Sequence, residues 1–75
     1  MMWIVALERS DGSDAGYLAI SETVGFKRNP HIERAYQTDK QDAEDLAADF
    51  NDLFHMKGYG LTAKAVRFVK VEQVQ

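Results

Sequence analysis

The hydrophobic residues of this 75-residue chain fall into four segments that are typical of strands and one that is typical of a helix. The first strand segment, "MWIVALE", is apolar on both of its period-two faces, and "GYLAISE" follows it after a turn-rich connection. "TVGFKRNP" is predicted to be a turn around Gly25 that returns Phe26 to the core, and "HIERAYQ" to be a short strand. The predicted strands occupy residues 2–8, 16–22, 31–37 and 60–72.

The strongest local signal lies between the third and fourth predicted strands. Thr38 and Gln41 have the spacing of a capping box, in which each side chain satisfies a free backbone N–H group of the other residue. Gly58 is well placed for the left-handed residue that ends a helix. The predicted helix is therefore about 19 residues long, and one apolar stripe follows it. The stripe consists of Ala43, Leu46, Ala47, Phe50, Leu53 and Phe54.

The order of these elements, β-β-β-α-β, predicts an α+β fold with two layers. One antiparallel sheet of about four strands carries the single helix on one face. The first and last strands are expected to be neighbours in the centre of the sheet, but the pattern does not fix the strand order. The length of the chain predicts a single domain over residues 1–75.

Composition narrows the class of protein without naming a function. At 45% hydrophobic and 28% charged residues, the chain is typical of globular rather than disordered proteins. It has no cysteine, which excludes a disulfide framework and a thiolate metal site. Neither a signal peptide nor an apolar run of the ~20 residues that span a bilayer is recognisable. These features predict a cytoplasmic protein that does not enter a membrane.

The stretch "SDGSDAGYLAISE" resembles a calcium loop when it is counted from Asp11. Gly16 then falls at the sixth position and Glu22 at the twelfth, as in a helix–loop–helix calcium site. Such a loop needs a helix on both sides, however, and here a strand pattern precedes it. Ala15 also occupies a position that requires an oxygen ligand. The stretch is therefore predicted to be a hairpin connection followed by a strand.

Candidates for catalysis are few. The two histidines, His31 and His55, lack the further ligands that a zinc site requires. The serines have no partner pattern for nucleophilic catalysis, and the glycines form no phosphate-binding loop. The expectation is a protein that is not an enzyme and that uses no cofactor or metal.

An acidic row on the predicted helix is the most specific functional candidate. Its four members follow i, i+3, i+7, i+10 spacing and point roughly 130° away from the apolar stripe. Repeated like charge at these spacings opposes the helix slightly, so the row is either an ordinary solvated face or a docking surface for a protein with a basic surface. The row consists of Asp42, Asp45, Asp49 and Asp52.

Two alternatives remain open. Lys27, Arg28 and Arg34 lie beside aromatic residues in segment 26–36 and favour a nucleic-acid-binding module. The net charge of −3, from 12 acidic and 9 basic residues, argues against a general binder of polyanions. The second alternative is self-association into a homo-oligomer. The first and last strands are apolar on both faces, so the sheet face without a helix is expected to keep apolar surface, to which Trp3 or Met2 would contribute.

Two resemblances bear on these alternatives. "AEDLAADFNDLFHMKGYGLTAKAV" resembles half of a sporulation-related repeat domain, a family that binds peptidoglycan glycan strands through two such halves. The first half of this chain lacks the matching helix, so glycan binding is not expected. The whole chain, with "A-Y…T-x-x-x-x-A-E" before its one helix, also resembles small proteins encoded by bacteriophages and prophages. This second resemblance implies an accessory protein, or an inhibitor that binds a host protein.

Overall fold

A computed structural model describes residues 2–69 of the chain. It shows one four-stranded antiparallel sheet with the order β3-β2-β1-β4, which confirms the predicted α+β fold. A short 3-10 helix precedes a single long α-helix. The elements are β1 (Trp3–Arg9), β2 (Asp14–Ser21), β3 (Gly25–Asn29), the 3-10 helix (Ile32–Arg34), α1 (Lys40–Lys57) and β4 (Leu61–Arg67).

The strand β1 occupies the interior of the sheet. It pairs with β4 over seven residues, from Trp3 opposite Arg67 to Arg9 opposite Leu61. The prediction that the first and last strands are neighbours is therefore confirmed, but β4 forms an edge of the sheet and not its centre. Residues beyond 69, which include the predicted end of the last strand, lie outside the described part.

The predicted third strand is wrong in position. Residues 25–29, predicted as a turn, form β3, whereas 32–34 of the predicted strand form the 3-10 helix. The chain reverses early because Gly25 adopts a φ of +85°, which lets it pair directly with Ser21. Pro30 then follows β3 and cannot continue it with a backbone N–H donor.

Residues 36–38 fill a gap where β1 and β2 diverge. The backbone of Thr38 exchanges two hydrogen bonds with Trp3 of β1, at 2.7 and 2.9 Å. The Tyr36 N–H group donates to the Leu18 carbonyl of β2 at 2.9 Å. The end of the predicted third strand thus bonds to the sheet, but as an isolated bridge and not as a strand.

The helix α1 begins one residue later than the capping box predicts. Asp39 is the N-cap, and its side chain accepts a hydrogen bond from the Asp42 N–H group at 2.8 Å. The predicted capping box is wrong because the Thr38 backbone is held in the bridge to β1, while Gln41 donates to Asp45 instead. The predicted end is confirmed: Gly58 is left-handed, with a φ of +68°.

The main core lies between α1 and the sheet. Trp3, Val5 and Leu7 point toward the helix, which places the alternate β1 residues on the other face. The expectation that Trp3 contributes to the uncovered face is therefore wrong; its ring packs on this core and lies under the Lys40 ammonium group at 5.5 Å. The buried core residues are Val5, Leu7, Ala15, Leu18, Ala43, Ala47, Phe54 and Ala63.

The helix sits off-centre, packed against β4 and β1. Ala43 and Ala47 are small enough to let the helix approach these strands closely. Asn51 reaches past the sheet and pairs with the Ala63 backbone in both directions: its amide donates to the carbonyl at 2.8 Å, and its oxygen accepts from the N–H group at 2.6 Å. A helix side chain therefore takes the place of a fifth strand at this point of the β4 edge.

The stretch "SDGSDAGYLAISE", which resembles a calcium loop in sequence, forms the connection of the β1–β2 hairpin and then β2, as predicted. One extra residue in β2 creates a bulge, because Ala6 pairs with Tyr17 whereas Glu8 pairs with Asp14. Gly16 lies inside this bulge at a φ of +91°. In the turn before the bulge, Ser13 donates hydrogen bonds to the Asp11 carboxylate and so holds the pKa of Asp11 below its usual value. The bond from the Ser13 side chain has the larger effect, and the bond from its backbone the smaller.

Candidate protein-binding site

The acidic row divides into one structural residue and three exposed ones. Asp42 is half-buried, and its carboxylate accepts hydrogen bonds from the Thr38 hydroxyl at 2.7 Å and the Tyr36 hydroxyl at 3.4 Å. These contacts attach the start of α1 to the segment that fills the β1–β2 gap. Asp42 is thus engaged within the fold and offers less to a partner than the other three acidic residues.

Asp45, Asp49 and Asp52 form the exposed part of the row. Asp45 accepts a hydrogen bond from Gln41 at 3.0 Å. Among residues 2–69, no ion pair involves any of the three carboxylates. Glu44 on another flank of the same helix differs, because it lies 3.9 Å from the Lys40 ammonium group. The three exposed carboxylates therefore present uncompensated negative charge along one flank of α1.

An apolar groove lies beside this flank, between α1 and the β2–β3 half of the sheet. It exists because the helix is displaced toward β4, which leaves that half of the sheet partly uncovered. The groove has a volume of about 280 Å³, and Lys27 and Arg28 of β3 also border it. Its apolar lining consists of Leu7, Leu18, Phe26, Phe50, Leu53, Phe54, Tyr59 and Leu61.

A chain of five aromatic rings supports the groove. Successive ring centroids are 5.4, 5.8, 5.7 and 6.1 Å apart, within the range of favourable aromatic pairs. The chain starts at the β1–β2 gap, crosses the interface between β3 and the helix, and ends after the helix. Because neighbouring rings hold one another, the wall of the groove is preformed. The rings belong, in spatial order, to Tyr36, Phe26, Phe50, Phe54 and Tyr59.

Exposed apolar side chains connect the groove with the acidic row. Leu53 is 39% exposed although it lines the groove, and it lies one helical turn after Asp49. Met56 and Tyr59 are 78% and 58% exposed at the same end of the helix. Apolar and acidic groups therefore form one continuous surface, which we term the helix–groove surface. It consists of the apolar groove and six residues beside it: Asp45, Asp49, Asp52, Leu53, Met56 and Tyr59.

The three predicted basic residues do not lie together. In β3, Lys27 pairs with Ala19 and Arg28 with Leu18, so the two side chains point to opposite faces of the sheet. Leu18 belongs to the helix-side core, which places Arg28 on the groove side. Arg34 of the 3-10 helix shares a concavity with Lys27 on the other side. The structure thus divides the predicted basic segment into two separate surfaces.

The two candidate histidines lie at the surface of the described part of the chain. His31 and His55 are both exposed, and the nearest carboxylate to His31 is Glu33 at 3.9 Å. Among residues 2–69, no three His, Asp or Glu side chains are placed to share a metal ion. Over the same residues, no helix combines the length and apolar character needed to cross a bilayer.

Comparison of the chain with protein-family models, with curated proteins and with solved structures gives no match. Function is therefore inferred from the chemistry of its surfaces. Sequence reasoning located the acidic row but missed the groove beside it. The helical spacing places Leu53 in the apolar stripe but does not show that it is exposed. The β3 wall of the groove does not follow from the sequence pattern, because that pattern predicts a turn at residues 25–29.

Proposed function

We propose that this protein is a small, non-enzymatic binding module for another protein. The helix–groove surface takes a basic, amphipathic segment of the partner, with apolar side chains in the groove and Lys or Arg side chains against Asp45, Asp49 and Asp52. One observation carries the proposal: exposed Leu53 and Met56 adjoin an open apolar groove and carboxylates without an ion-pair partner among residues 2–69.

Each half of this surface has a distinct physical role. Burial of apolar area in the groove supplies affinity, at roughly 25 cal/mol per Å². The carboxylates steer a basic partner toward the groove and set its orientation, more than they add affinity. The preformed aromatic wall lowers the entropy lost on binding, because few groove side chains need to be ordered.

The resemblance to phage and prophage proteins gives this binding a biological setting. In that setting the protein is an accessory factor or inhibitor, acting in the cytoplasm, and its partner is a host protein. A host protein whose basic surface normally holds nucleic acid would meet the acidic row as a competitor for that surface. Asp42 supports the row from inside the fold through its bonds to Thr38 and Tyr36.

Charge reversal of the row is expected to abolish partner capture. In the variant Asp45→Lys with Asp49→Lys, four units of charge change on one flank, and we expect affinity to fall at least about tenfold, which corresponds to ~1.4 kcal/mol. The measurement is capture from nuclease-treated bacterial lysate by the tagged protein, read by mass spectrometry. Titration with each captured protein after its purification then gives the change in affinity.

The matched control is Glu33→Lys with Glu44→Lys. It makes the same change in charge, but on the 3-10 helix and on another flank of α1. We expect this control to retain the captured partner, and Leu53→Ala to weaken it without any change in charge. If both double variants lost partner capture equally, net charge alone would account for the loss. If Asp45→Lys with Asp49→Lys left partner capture unaffected, the proposal would be contradicted.

A second candidate function is self-association through the sheet face opposite α1. Met2 is 46% exposed there, and its carbonyl accepts the Phe68 N–H group, which places two apolar side chains side by side. A salt bridge of 3.0 Å between Lys64 and Glu8 lies farther along the same strands. Ile4, the next β1 residue on this face, is fully buried, so the strongly exposed apolar side chain that β1 offers here is Met2 at its start.

Sedimentation equilibrium tests this candidate. If the face pairs, the mass at high concentration is twice the 8.5 kDa of the chain, and Phe68→Ser returns it to that of a monomer. A monomer across the whole concentration range would remove self-association as a function, and it would leave the helix–groove proposal standing.

A further inference from the structure

A second concavity lies on the sheet face opposite α1 and has a different chemistry. Its volume is about 550 Å³, within the range of roughly 300–1,000 Å³ that is usual for small-molecule sites. It is formed by β2, β3 and the chain that follows the 3-10 helix. Its lining residues are Ala19, Ile20, Lys27, Asn29, Arg34, Ala35, Tyr36 and Gln37.

The fold creates this concavity with small residues and frames it with cations. Ala19 and Ala35 are buried, at 3% and 6% exposure, and give it depth. Lys27 rises from β3 directly opposite Ala19, and the 3-10 helix brings Arg34 to the same concavity. Two cationic side chains that are seven positions apart in the sequence therefore line the same concavity.

The polar groups of the lining favour an anion. It contains two cationic side chains and two amides but no carboxylate. In the part of the chain that the structure describes, neither Lys27 nor Arg34 takes part in an ion pair. The Asn29 side-chain oxygen already accepts a hydrogen bond from the His31 N–H group at 2.9 Å, which leaves its amide N–H groups free to donate.

We propose that Lys27 and Arg34 form a binding site for a phosphate group. The guanidinium of Arg34 matches two phosphate oxygens at once, Lys27 supplies a compact charge, and the amides of Asn29 and Gln37 supply further donors. The phosphate belongs either to a free nucleotide or to the backbone of a nucleic acid. Lys27 also borders the apolar groove, but Arg34 does not, and the phosphate proposal does not rest on the function proposed for the helix–groove surface.

The chain offers a matched control for this proposal. Lys27 and Arg28 are consecutive residues of β3 with equal charge, but their side chains lie on opposite faces of the sheet. Arg28 does not line the concavity. The variants Lys27→Gln and Arg28→Gln therefore remove the same charge from nearly the same place, and only the first removes a group of the site.

The experiment is a titration followed by amide chemical shifts at constant ionic strength. The probes are inorganic phosphate, adenosine 5′-monophosphate and a single-stranded DNA of twelve nucleotides, with chloride as the reference anion. We expect saturable shifts at residues 27, 29 and 34–37. Lys27→Gln and Arg34→Gln should each weaken binding at least fivefold, and Arg28→Gln less than twofold. Lys27→Arg should retain binding, and the spectra themselves report whether each variant is folded.

The probes distinguish the two sources of phosphate. Comparable binding of the mononucleotide and the DNA supports a nucleotide site, and much tighter, salt-sensitive binding of the DNA supports contact with a nucleic-acid backbone. No saturable shift with any probe up to 10 mM, roughly a 3 kcal/mol interaction, would overturn the proposal. Equal weakening by Arg28→Gln would also overturn it, because general surface charge would then account for binding.

Discussion

Gly16→Ala is expected to lower the free energy of unfolding by about 3 kcal/mol, through left-handed strain and steric overlap together. Gly16 lies in the β2 bulge at a φ of +91°, which side chains with a Cβ rarely adopt. A Cβ atom added there would lie 2.7 Å from the Asn29 carbonyl oxygen, which belongs to the backbone of β3. Either β3 moves away or the bulge is lost, and both weaken the pairing of β2. Urea denaturation measures the change.

Gly25→Ala is the control that separates these two causes. Gly25 has nearly the same φ, +85°, but a Cβ added there would meet no atom within 4 Å. We expect it to lose only about 1 kcal/mol, the strain of the left-handed conformation alone. Equal losses in the two variants would show that the close approach of β2 and β3 at Gly16 carries no energy of its own.

Asn51→Ala is expected to lower the free energy of unfolding by about 2 kcal/mol, because it leaves two half-buried backbone groups without partners. For a domain of this size, that corresponds to a fall of roughly 8–16 °C in Tm. The Ala63 N–H and carbonyl groups point away from β1 and are satisfied by the Asn51 side chain. Thermal unfolding followed by circular dichroism gives the size of the loss.

The control for Asn51 is its neighbour Asp52, which is exposed on another flank of α1. Asp52→Ala should change stability by no more than about 0.5 kcal/mol. Asn51→Ala should also promote association at high concentration, since it uncovers donor and acceptor groups on the β4 edge. A Tm within 2 °C of that of the unchanged protein would mean that water replaces the side chain at Ala63 without loss.

The sequence predicted those elements whose signals lie within their own residues. The helix followed from its apolar stripe and from Gly58, and β1, β2 and β4 followed from their apolar residues. β3 was missed because Lys27 and Arg28 break any alternation, and an edge strand tolerates them. The start of α1 was displaced because the Thr38 backbone bonds to Trp3, a contact between distant parts of the chain that no capping pattern contains.

In the candidate site, too, only the part defined by local spacing was predictable. Helical spacing alone aligned the acidic row, but the bonds from Tyr36 and Thr38 that engage Asp42 depend on how residues 36–38 enter the sheet. The groove arises from the off-centre position of α1, which Asn51 holds through β4. The concavity with Lys27 and Arg34 required β3 to be located. Each of these features is a product of tertiary contacts.

The interior position of β1 has a consequence for biosynthesis. β1 leaves the ribosome long before β4, the strand that covers one whole side of it. Until residues 61–67 have emerged, one edge of β1 is unpaired and α1 has no β4 to pack on. Closing so long a loop is slow relative to local folding steps. The consecutive hairpins of β1, β2 and β3 can therefore form during synthesis, whereas the far edge of β1 and the packing of α1 are completed only after β4 has emerged.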